Sequence, residues 1–317
     1  MTSVLTIGEA LGLAVAAERG RVAAGTPMAF RVAGSELNTA VALARLGMAV
    51  QFAGAVGEDV AGRVVRDTLR QEGVGAQYLE VGTEPTGLMI QEFYGLGAEP
   101  RVHYYRRQTS MHAWIPSDSL MEAMDADSWL HLSGITLMFH QALRDRLHPW
   151  IARWSERHPD RFSLDVNMRR RLGNDSEWRA ALEPIMQLAA LVFCSRHDLA
   201  PIFGTEDAAA VWDRHGLGDS QVLVVTDGSQ GARAYRQGQE IAHTPAVPVA
   251  RVVDVVGAGD GFAAGVLAGR LWGWEYEQSL GLGAVVGAFA VAHPGDFEGY
   301  PMRADAEAVL HRQWVDR

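Results

Sequence analysis

The stretch from Arg251 to Gly265 reads RVVDVVGAGDGFAAG. It passes from an extended apolar segment, through Gly257-Ala258-Gly259, into a helix of small residues. Glycines let a backbone approach a ligand closely, and a helix N-terminus directs free N–H groups and a positive dipole end towards that ligand. Phosphoryl transfer needs such an anion hole, because its transition state is stabilised mainly by positioning and electrostatics.

Asp260 falls in the first turn of this predicted helix, where it can accept the proton of an attacking hydroxyl. The alternative is that Asp260 is only a helix N-terminal residue and that the glycines only make a turn. Two other nucleotide motifs are excluded. The chain has no G-x-x-x-x-G-K-[ST] string, and Phe262 stands where a dinucleotide fingerprint needs its third glycine.

The rest of the chain alternates short apolar strands, such as 50–55 and 162–166, with longer helices, such as 61–72 and 178–188. This pattern predicts an α/β fold with a parallel sheet covered on both faces. Segments 11–32 and 86–107 break the pattern with strand-like pieces, the second around a turn with Gly95, Gly97 and Pro100. We interpret both as an antiparallel lid inserted in the core. The alternative is a pair of surface hairpins without a role.

The composition and charge of the chain exclude several classes of function. The 317 residues are 48% hydrophobic and 21% charged, which is ordinary for a globular chain, and no linker or repeat divides residues 1–317. We therefore expect a single domain. The net charge of −10 argues against nucleic-acid binding. The longest apolar run, 280–292, is too short to span a bilayer, and no signal peptide is recognisable. The single cysteine, Cys194, excludes an internal disulfide, so we expect a cytoplasmic protein.

Two motifs together point to a known family. The string at 254–262 resembles D-T-x-G-A-G-D-x-F, and residues 33–47, AGSELNTAVALARLG, resemble G-G-x-x-x-N-x-A-x-x-L-A-x-L-G. Both are similar to motifs of the ribokinase-like, or PfkB, carbohydrate kinases. The resemblance implies a doubly wound, mainly parallel sheet with helices on both faces and a small antiparallel β lid.

The resemblance also implies roles for the residues of the C-terminal motif. The backbone of Gly257, Ala258 and Gly259 would form the anion hole, and Asp260 would be the base. Members of the family often bind a monovalent cation such as K⁺ near the position of Asp254, and here the carbonyl of Val256 is a candidate ligand. The sequence departs from the pattern at Ala33, which replaces a glycine, and at Val255, which replaces a threonine.

Substrate-side features resemble the 2-keto-3-deoxygluconate kinases within this family. Gly34, Ser35 and Asn38 match the sugar-binding turn. Y-Y-R at 104–106, S-L-D-V-N-M-R at 163–169 and P-G-D-F-E-G at 294–299 also match. By this resemblance Arg106 and Arg169 would hold a substrate carboxylate, with Tyr104 on its keto or hydroxyl groups.

The two arginines also have simpler interpretations. Arg106 could be a solvated lid charge, and Arg169 could be a surface charge or pair with Asp165. Met89 stands where these kinases often have a tyrosine.

Residues on the nucleotide side match the family less closely. The string T-D-G-S-Q-G at 226–231 resembles a nucleotide loop, which implies that Thr226, Gly228 and Gly231 contact ATP. Ser195 and Asp198 lie where an N-x-x-E-like element linked to Mg²⁺ and phosphate is expected. An ordinary turn with a helix cap is the alternative for each.

The sequence therefore predicts ATP-dependent phosphorylation of a sugar acid, with 2-keto-3-deoxygluconate giving 2-keto-3-deoxy-6-phosphogluconate. A kinase for a neutral sugar or nucleoside, such as fructose or ribose, is the alternative. A sugar-sensing protein without catalysis is a third hypothesis, against which the intact Gly-Ala-Gly-Asp string argues. We expect small-molecule partners, neither nucleic acid nor membrane, and by resemblance a homo-oligomer formed through the lid.

Overall fold

A mostly parallel sheet runs through the centre of the protein. The structure is a computed structural model that describes residues 3–18, 20–93, 101–124, 128–215 and 217–315. From one edge to the other the strands are β13 (Gln239–Thr244), β12 (Ala232–Arg236), β11 (Val222–Thr226), β10 (Leu191–Ser195), β9 (Phe162–Asp165), β8 (Ser128–Ser133), β1 (Ser3–Ile7), β4 (Val50–Gly57) and β5 (Gly75–Gly82). The pairs from β11 to β5 are parallel, and β12 and β13 pair antiparallel at the edge. The predicted doubly wound, mainly parallel sheet is confirmed.

Helices cover both faces of this sheet. They are α1 (Ser35–Arg45), α2 (Val60–Gln71), α3 (Ser110–Ala113), α4 (Asp118–Met124), α5 (Gly134–Leu137), α6 (Gln141–Arg157), α7 (Asp175–Met186), α8 (Arg196–Phe203), α9 (Val211–His215), α10 (Ala258–Leu271), α11 (Tyr276–Val291) and α12 (Arg303–Val315). Val222 and Val224 of β11 pack with α1, α10 and α11, whereas Leu223 between them packs with α6, α7 and α8. Alternate strand residues thus enter two separate cores, which explains the uninterrupted apolar strands. Within the described residues, no helix has the length and apolar character to cross a bilayer.

Two departures from the predicted elements have local causes. Helix α7 begins three residues earlier than predicted because Asn174 and Glu177 form a reciprocal capping box at its start. The edge hairpin of β12 and β13 was not predicted. Its strands are short and partly exposed, and its turn uses Gln237 and Gly238, both with positive φ, rather than an Asn-Gly pair.

A second, four-stranded sheet stands apart from the first, and we call it the small sheet. Its order is β3 (Met28–Ala33), β2 (Leu11–Ala16), β6 (Leu88–Glu92) and β7 (Arg101–Tyr105). Each segment predicted for the lid contributes one antiparallel pair, and β2 joins the two pairs through a parallel pairing with β6. The turn predicted around Gly95, Gly97 and Pro100 lies outside the described residues. That residues 1–317 form one domain with this sheet as its lid stays a prediction.

Candidate active site

A cavity of about 470 Å³ is lined by the central sheet, by α1 and α10, and by the small sheet. The last residues of three parallel strands, Asp165, Ser195 and Thr226, contribute to it. Ligands of open α/β sheets bind at these carboxyl ends of the strands. The lining residues that the sequence predicted are Gly34, Ser35, Asn38, Tyr104, Arg106, Arg169, Ser195, Asp198, Thr226, Val256, Gly257, Gly259 and Asp260.

Asp260 is held by two donors from α1. Ser35 Oγ donates to its Oδ1 at 2.7 Å, and Asn38 Nδ2 donates to its Oδ2 at 2.8 Å. Burial raises the pKa of Asp260, whereas the hydrogen bonds from Ser35 and Asn38 favour the ionised form and oppose the rise. Asn167, in a left-handed backbone conformation, also donates to Ser35 Oγ at 2.7 Å. The carboxylate is therefore fixed on both oxygens, as a positioned proton acceptor must be.

The residues Val255–Gly259, which we call the Gly257 turn, lead into α10. Gly257 has φ +75°, and a Cβ there would collide with the carbonyl oxygen of Asp296. Gly259 differs, because nothing lies within 4 Å of where its Cβ would be. Ala258 lies between them, and its amide donates to Val255 O at 3.4 Å. The first amides of a helix have no partner within the helix, so the open space beside Gly259 suits an anion.

The two predicted substrate cations differ in their surroundings. Arg106 follows β7 and forms an ion pair with Glu9, with 2.6 Å between Nη2 and Oε2. Its guanidinium also lies 4.6 Å from the centre of the Phe139 ring and 5.5 Å from that of Tyr104. Arg169 is exposed, and its Nη1 donates to Met168 O at 3.5 Å. The structure records no ion pair for Arg169 among the described residues.

The turn that is predicted to bind the sugar requires glycine for a steric reason. Gly34 has φ +145°, and a Cβ would collide with the carbonyl oxygen of Glu9. Met89, where the family often has a tyrosine, lines the cavity from β6 and is 5% exposed.

Several buried carboxyl groups surround the cavity. Burial raises the pKa of Glu9 to about 7 against the opposing charge of Arg106. Burial, with a smaller contribution from Asp260, raises the pKa of Asp165 to about 8. Burial also raises the pKa of Asp296 to about 7. The cavity can therefore hold protons near neutral pH, and its net charge changes with pH.

The residues that were predicted to bind the nucleotide lie in two different places. Ser195 directly precedes α8 as its N-cap residue, and its Oγ donates to Asp198 Oδ2 at 2.8 Å beside the cavity. Gly228 and Gly231 instead have positive φ in a turn after β11, where a Cβ on Gly231 would collide with Thr244 O. Gly231 lines a neighbouring cavity of about 590 Å³ rather than the main one. These two glycines thus serve the turn geometry, whatever else they contact.

Asp254, the candidate cation residue, is buried and closes a local turn. Its Oδ1 accepts from Val256 N at 3.1 Å, and its Oδ2 accepts from Gln91 Nε2 of β6 at 3.4 Å. In the described part of the chain, no group of three or more His, Cys, Asp or Glu side chains could hold a metal ion. A cation bound through the Val256 carbonyl stays a prediction.

Sequence reasoning did not select Glu9, Asp165, Asn167 or Asp296 as site residues. Asp165 and Asn167 stood in the S-L-D-V-N-M-R string. Their position at the end of a buried strand and just beyond it could have identified them as site residues. Glu9 likewise follows β1 by two residues. Asp296 stood in the P-G-D-F-E-G string, but it lies 36 residues after Asp260, and spacing alone did not place its side chain at the cavity.

Comparison with known proteins agrees with this geometry. The model of the pfkB family carbohydrate kinases matches residues 1–303. The chain belongs to the PfkB family of carbohydrate kinases. It is therefore an ATP-dependent sugar kinase, and the predicted family is confirmed.

Three relatives illustrate the range within the PfkB family. A 2-dehydro-3-deoxygluconokinase of Bacillus subtilis (2-dehydro and 2-keto name the same group) is 27% identical over 98% of this chain and 95% of its own. A fructokinase of Klebsiella pneumoniae is 30% identical over 87% and 91%. The structure of a fructokinase with bound ATP from Xylella fastidiosa superposes with a TM-score of 0.83 at 25% identity, covering 98% and 99%.

Proposed function

We propose that this kinase phosphorylates 2-keto-3-deoxygluconate to 2-keto-3-deoxy-6-phosphogluconate. The observation that carries the proposal is that Arg106 and Arg169 line the same cavity as Asp260. Arginine presents a planar fork of donors that suits a carboxylate, and a neutral sugar gives no reason to gather two arginines. The match to 2-dehydro-3-deoxygluconokinase over nearly the whole chain supports this choice.

In this mechanism Asp260 accepts the proton of the substrate hydroxyl as that oxygen attacks the γ-phosphorus. Ser35 and Asn38 keep the carboxylate oriented. The amides at the start of α10, in the Gly257 turn, stabilise the charge that develops on the transferred group. The small sheet, acting as a lid, excludes water that would otherwise hydrolyse ATP.

The residues present fit ATP and Mg²⁺. The open space beside Gly259 accommodates a phosphate, and Asp198 offers carboxylate oxygens at the cavity wall. Mg²⁺ usually takes one or two protein carboxylates and completes its shell with phosphate and water. When bound, ATP supplies the phosphoryl group and Mg²⁺ neutralises charge on its oxygens. A K⁺ ion at Asp254 and Val256 is part of the proposal.

Phosphorylation of a neutral sugar is the second candidate, and a specific observation favours it. The charge of Arg106 is already matched by Glu9, and Asp165, Asp260 and Asp296 add further carboxyl groups to the same cavity. An acid substrate enters against these groups wherever they are ionised. The similarity to fructokinases is compatible with this candidate.

A substrate panel tests the proposal. Purified enzyme is assayed for ADP release with 2-keto-3-deoxygluconate, fructose and ribose, and the phosphorylated product is identified by mass spectrometry and NMR. We expect the highest kcat/KM for the sugar acid, with phosphate on its 6-hydroxyl. A higher kcat/KM for fructose or ribose would select the neutral-sugar candidate. Binding of any sugar without ADP release would point to a sensor.

Two wider expectations accompany the proposal. An enzyme that uses ATP and carries one buried free cysteine, Cys194, suits the reducing cytoplasm. The small sheet exposes Phe30 and Tyr105, which agrees with pairing of two copies through the lid. Sedimentation analysis of the parent and of a Phe30→Ser, Tyr105→Ser variant would test that pairing.

A further inference from the structure

Tyr300 packs against the Gly257 turn and is the residue directly after the P-G-D-F-E-G string, which ends at Gly299. It is 4% exposed, and its hydroxyl donates to Gly257 O at 2.5 Å. The same carbonyl accepts the amide of Gly261 at 2.9 Å, as the first bond of α10. The hydroxyl therefore ties the start of the helix to the loop that follows α11.

The ring of Tyr300 packs against the same helix. A Cβ on Gly261 would lie 2.6 Å from Tyr300 Cε1, and a Cβ on Gly257 would lie 3.0 Å from the Tyr300 hydroxyl. The glycines of the motif are thus needed on the side of the turn away from the cavity as well as on the side facing it. Burial, followed by the charges of Asp260 and Asp296, raises the pKa of Tyr300 well above its ordinary value. The hydroxyl stays protonated and acts as a donor.

Helix α1 holds Tyr300 in place. Arg45, at the end of α1, donates to Tyr300 O at 2.8 Å and to Phe297 O at 3.0 Å. Glu72 fixes the Arg45 guanidinium with 2.8 Å between Nε and Oε2. The N-terminal end of the same helix carries Ser35, which donates to Asp260. One rigid helix thus sets the position of the proposed base and, through Tyr300, that of the turn.

We propose that Tyr300 is a positioning residue that fixes the carbonyl of Gly257 and thereby aims the amides of the Gly257 turn at the transferred phosphoryl group. The inference rests on the anion hole of the proposed function. Gly257 has a left-handed backbone, and its peptide planes can rotate if one of the two bonds to its carbonyl is lost. Such a rotation would turn the amide N–H groups away from the transferred group. They stabilise the transition state only when they point towards its developing charge.

Tyr300→Phe tests this with a matched control, Tyr78→Phe. Tyr78 makes the same kind of bond, with its hydroxyl donating to Ala123 O at 2.7 Å, but it packs on the opposite face of the sheet. For Tyr300→Phe we expect kcat to fall about 2- to 12-fold, the range of one neutral hydrogen bond, with the KM for the sugar unchanged. Binding of ADP with aluminium fluoride, a mimic of the transferred group, should weaken by a similar factor while binding of ADP alone does not change. Tyr78→Phe should change none of these.

Equal kcat and equal aluminium fluoride affinity in the two Phe variants would overturn the role of Tyr300. Gly259→Val separates this failure from failure of the anion hole itself. A branched side chain at this position fills the proposed phosphate space. Retained turnover in Gly259→Val would therefore overturn both the anion hole of the proposed mechanism and the role of Tyr300. If Tyr300→Phe does not purify folded, 4-aminophenylalanine and 4-methylphenylalanine at position 300 fill the hydroxyl space with and without a donor. Equal turnover in that pair also overturns the proposal.

Discussion

The two ends of the cavity are built differently. At the proposed phosphate end, the carboxylate of Asp260 accepts hydrogen bonds from Ser35 and Asn38, and the groups involved lie on two helices of the central fold. At the proposed substrate end, Arg106 directly follows β7 of the small sheet and is paired with Glu9, which follows the first core strand. The hydrogen bonds to Asp260 are formed between helices that pack on the central sheet. The ion pair between Arg106 and Glu9 instead connects the small sheet with the central sheet.

This difference separates reaction class from substrate choice. Phosphoryl transfer needs a few groups held rigidly, and these occupy two contiguous motifs, each on one helix. In the function that we propose, substrate choice depends on the balance between Arg106, Arg169 and several buried carboxyl groups from distant parts of the chain. A change at the phosphate end should therefore affect every substrate, and a change at the substrate end should affect substrates according to their charge.

Asp260→Asn should have the largest effect. It keeps the shape of the side chain and removes the proton acceptor, so we expect kcat to fall about 10²- to 10⁴-fold for every substrate. Substrate affinity should change little, as measured by calorimetric titration with the best sugar. The same substitution at an exposed site on α6, Asp145→Asn, serves as the matched control and should retain full turnover. Near-normal kcat in Asp260→Asn would exclude it as the base.

The geometry of the proposed phosphate end was largely predictable because its determinants are local. Gly257, Gly259 and Asp260 stand within four residues, and the physical needs of an anion hole limit which residues can occupy such a string. Residues 33–47 could be matched to the family as a second string. The hydrogen bond between Ser35 and Asp260, 225 residues apart, could not be derived from either string alone.

Removing the arginines should have the next largest effect. For Arg106→Ala and Arg169→Ala we expect about 10- to 150-fold lower kcat/KM for the sugar acid, the range of a charge-assisted hydrogen bond. For fructose the loss should be much smaller, since a neutral sugar lacks the carboxylate. Arg170→Ala, which removes the neighbouring exposed cation that pairs with Asp175, is the control. Equal losses for both substrates would leave the arginines with a structural role.

The substrate end was less predictable because its charges are set by contacts distant in sequence. The motif placed Arg106 in the cavity, but nothing in the sequence indicated that Glu9 would lie 2.6 Å from it. Burial is also a property of the folded chain, so raised pKa values could not be inferred from residue type. The alternative interpretation of Arg106 as a solvated charge is wrong, since its side chain is only 16% exposed.

Glu9→Gln should change the KM for the sugar acid several-fold, by a factor that depends on pH. Glu9 faces Arg106, and the charge of Glu36 from α1 adds to the burial that raises the pKa of Glu9 to about 7. Above this pH the ionised group opposes a substrate carboxylate at Arg106, so the KM of the parent for the sugar acid should rise with pH. Glutamine keeps the shape without the charge. Its KM should be lower above neutral pH and vary less with pH, while the KM for fructose stays constant. A parallel rise in both proteins would assign the pH dependence elsewhere.

Asp165→Asn should have the smallest effect, one on stability. Burial and the Asp260 charge raise the pKa of Asp165 to about 8, against an ordinary value of 3.8, and Arg169 opposes the rise. The folded state therefore keeps a proton that the unfolded chain releases above about pH 4. The stability that this proton contributes is fully present below about pH 4 and is lost as pH rises through about 8. We expect the Tm of the parent, measured by calorimetry, to fall between about pH 5 and 8.

In Asp165→Asn this decline should be shallower but still present, because Glu9 and Asp296 also have raised pKa values, each about 7. The exposed Asp145→Asn should keep the slope of the parent. A parent Tm that does not fall over this range would mean that these carboxyl groups are ionised in the folded protein. The substrate end of the cavity would then be strongly negative at neutral pH, and binding of a sugar acid there would be disfavoured relative to a neutral sugar.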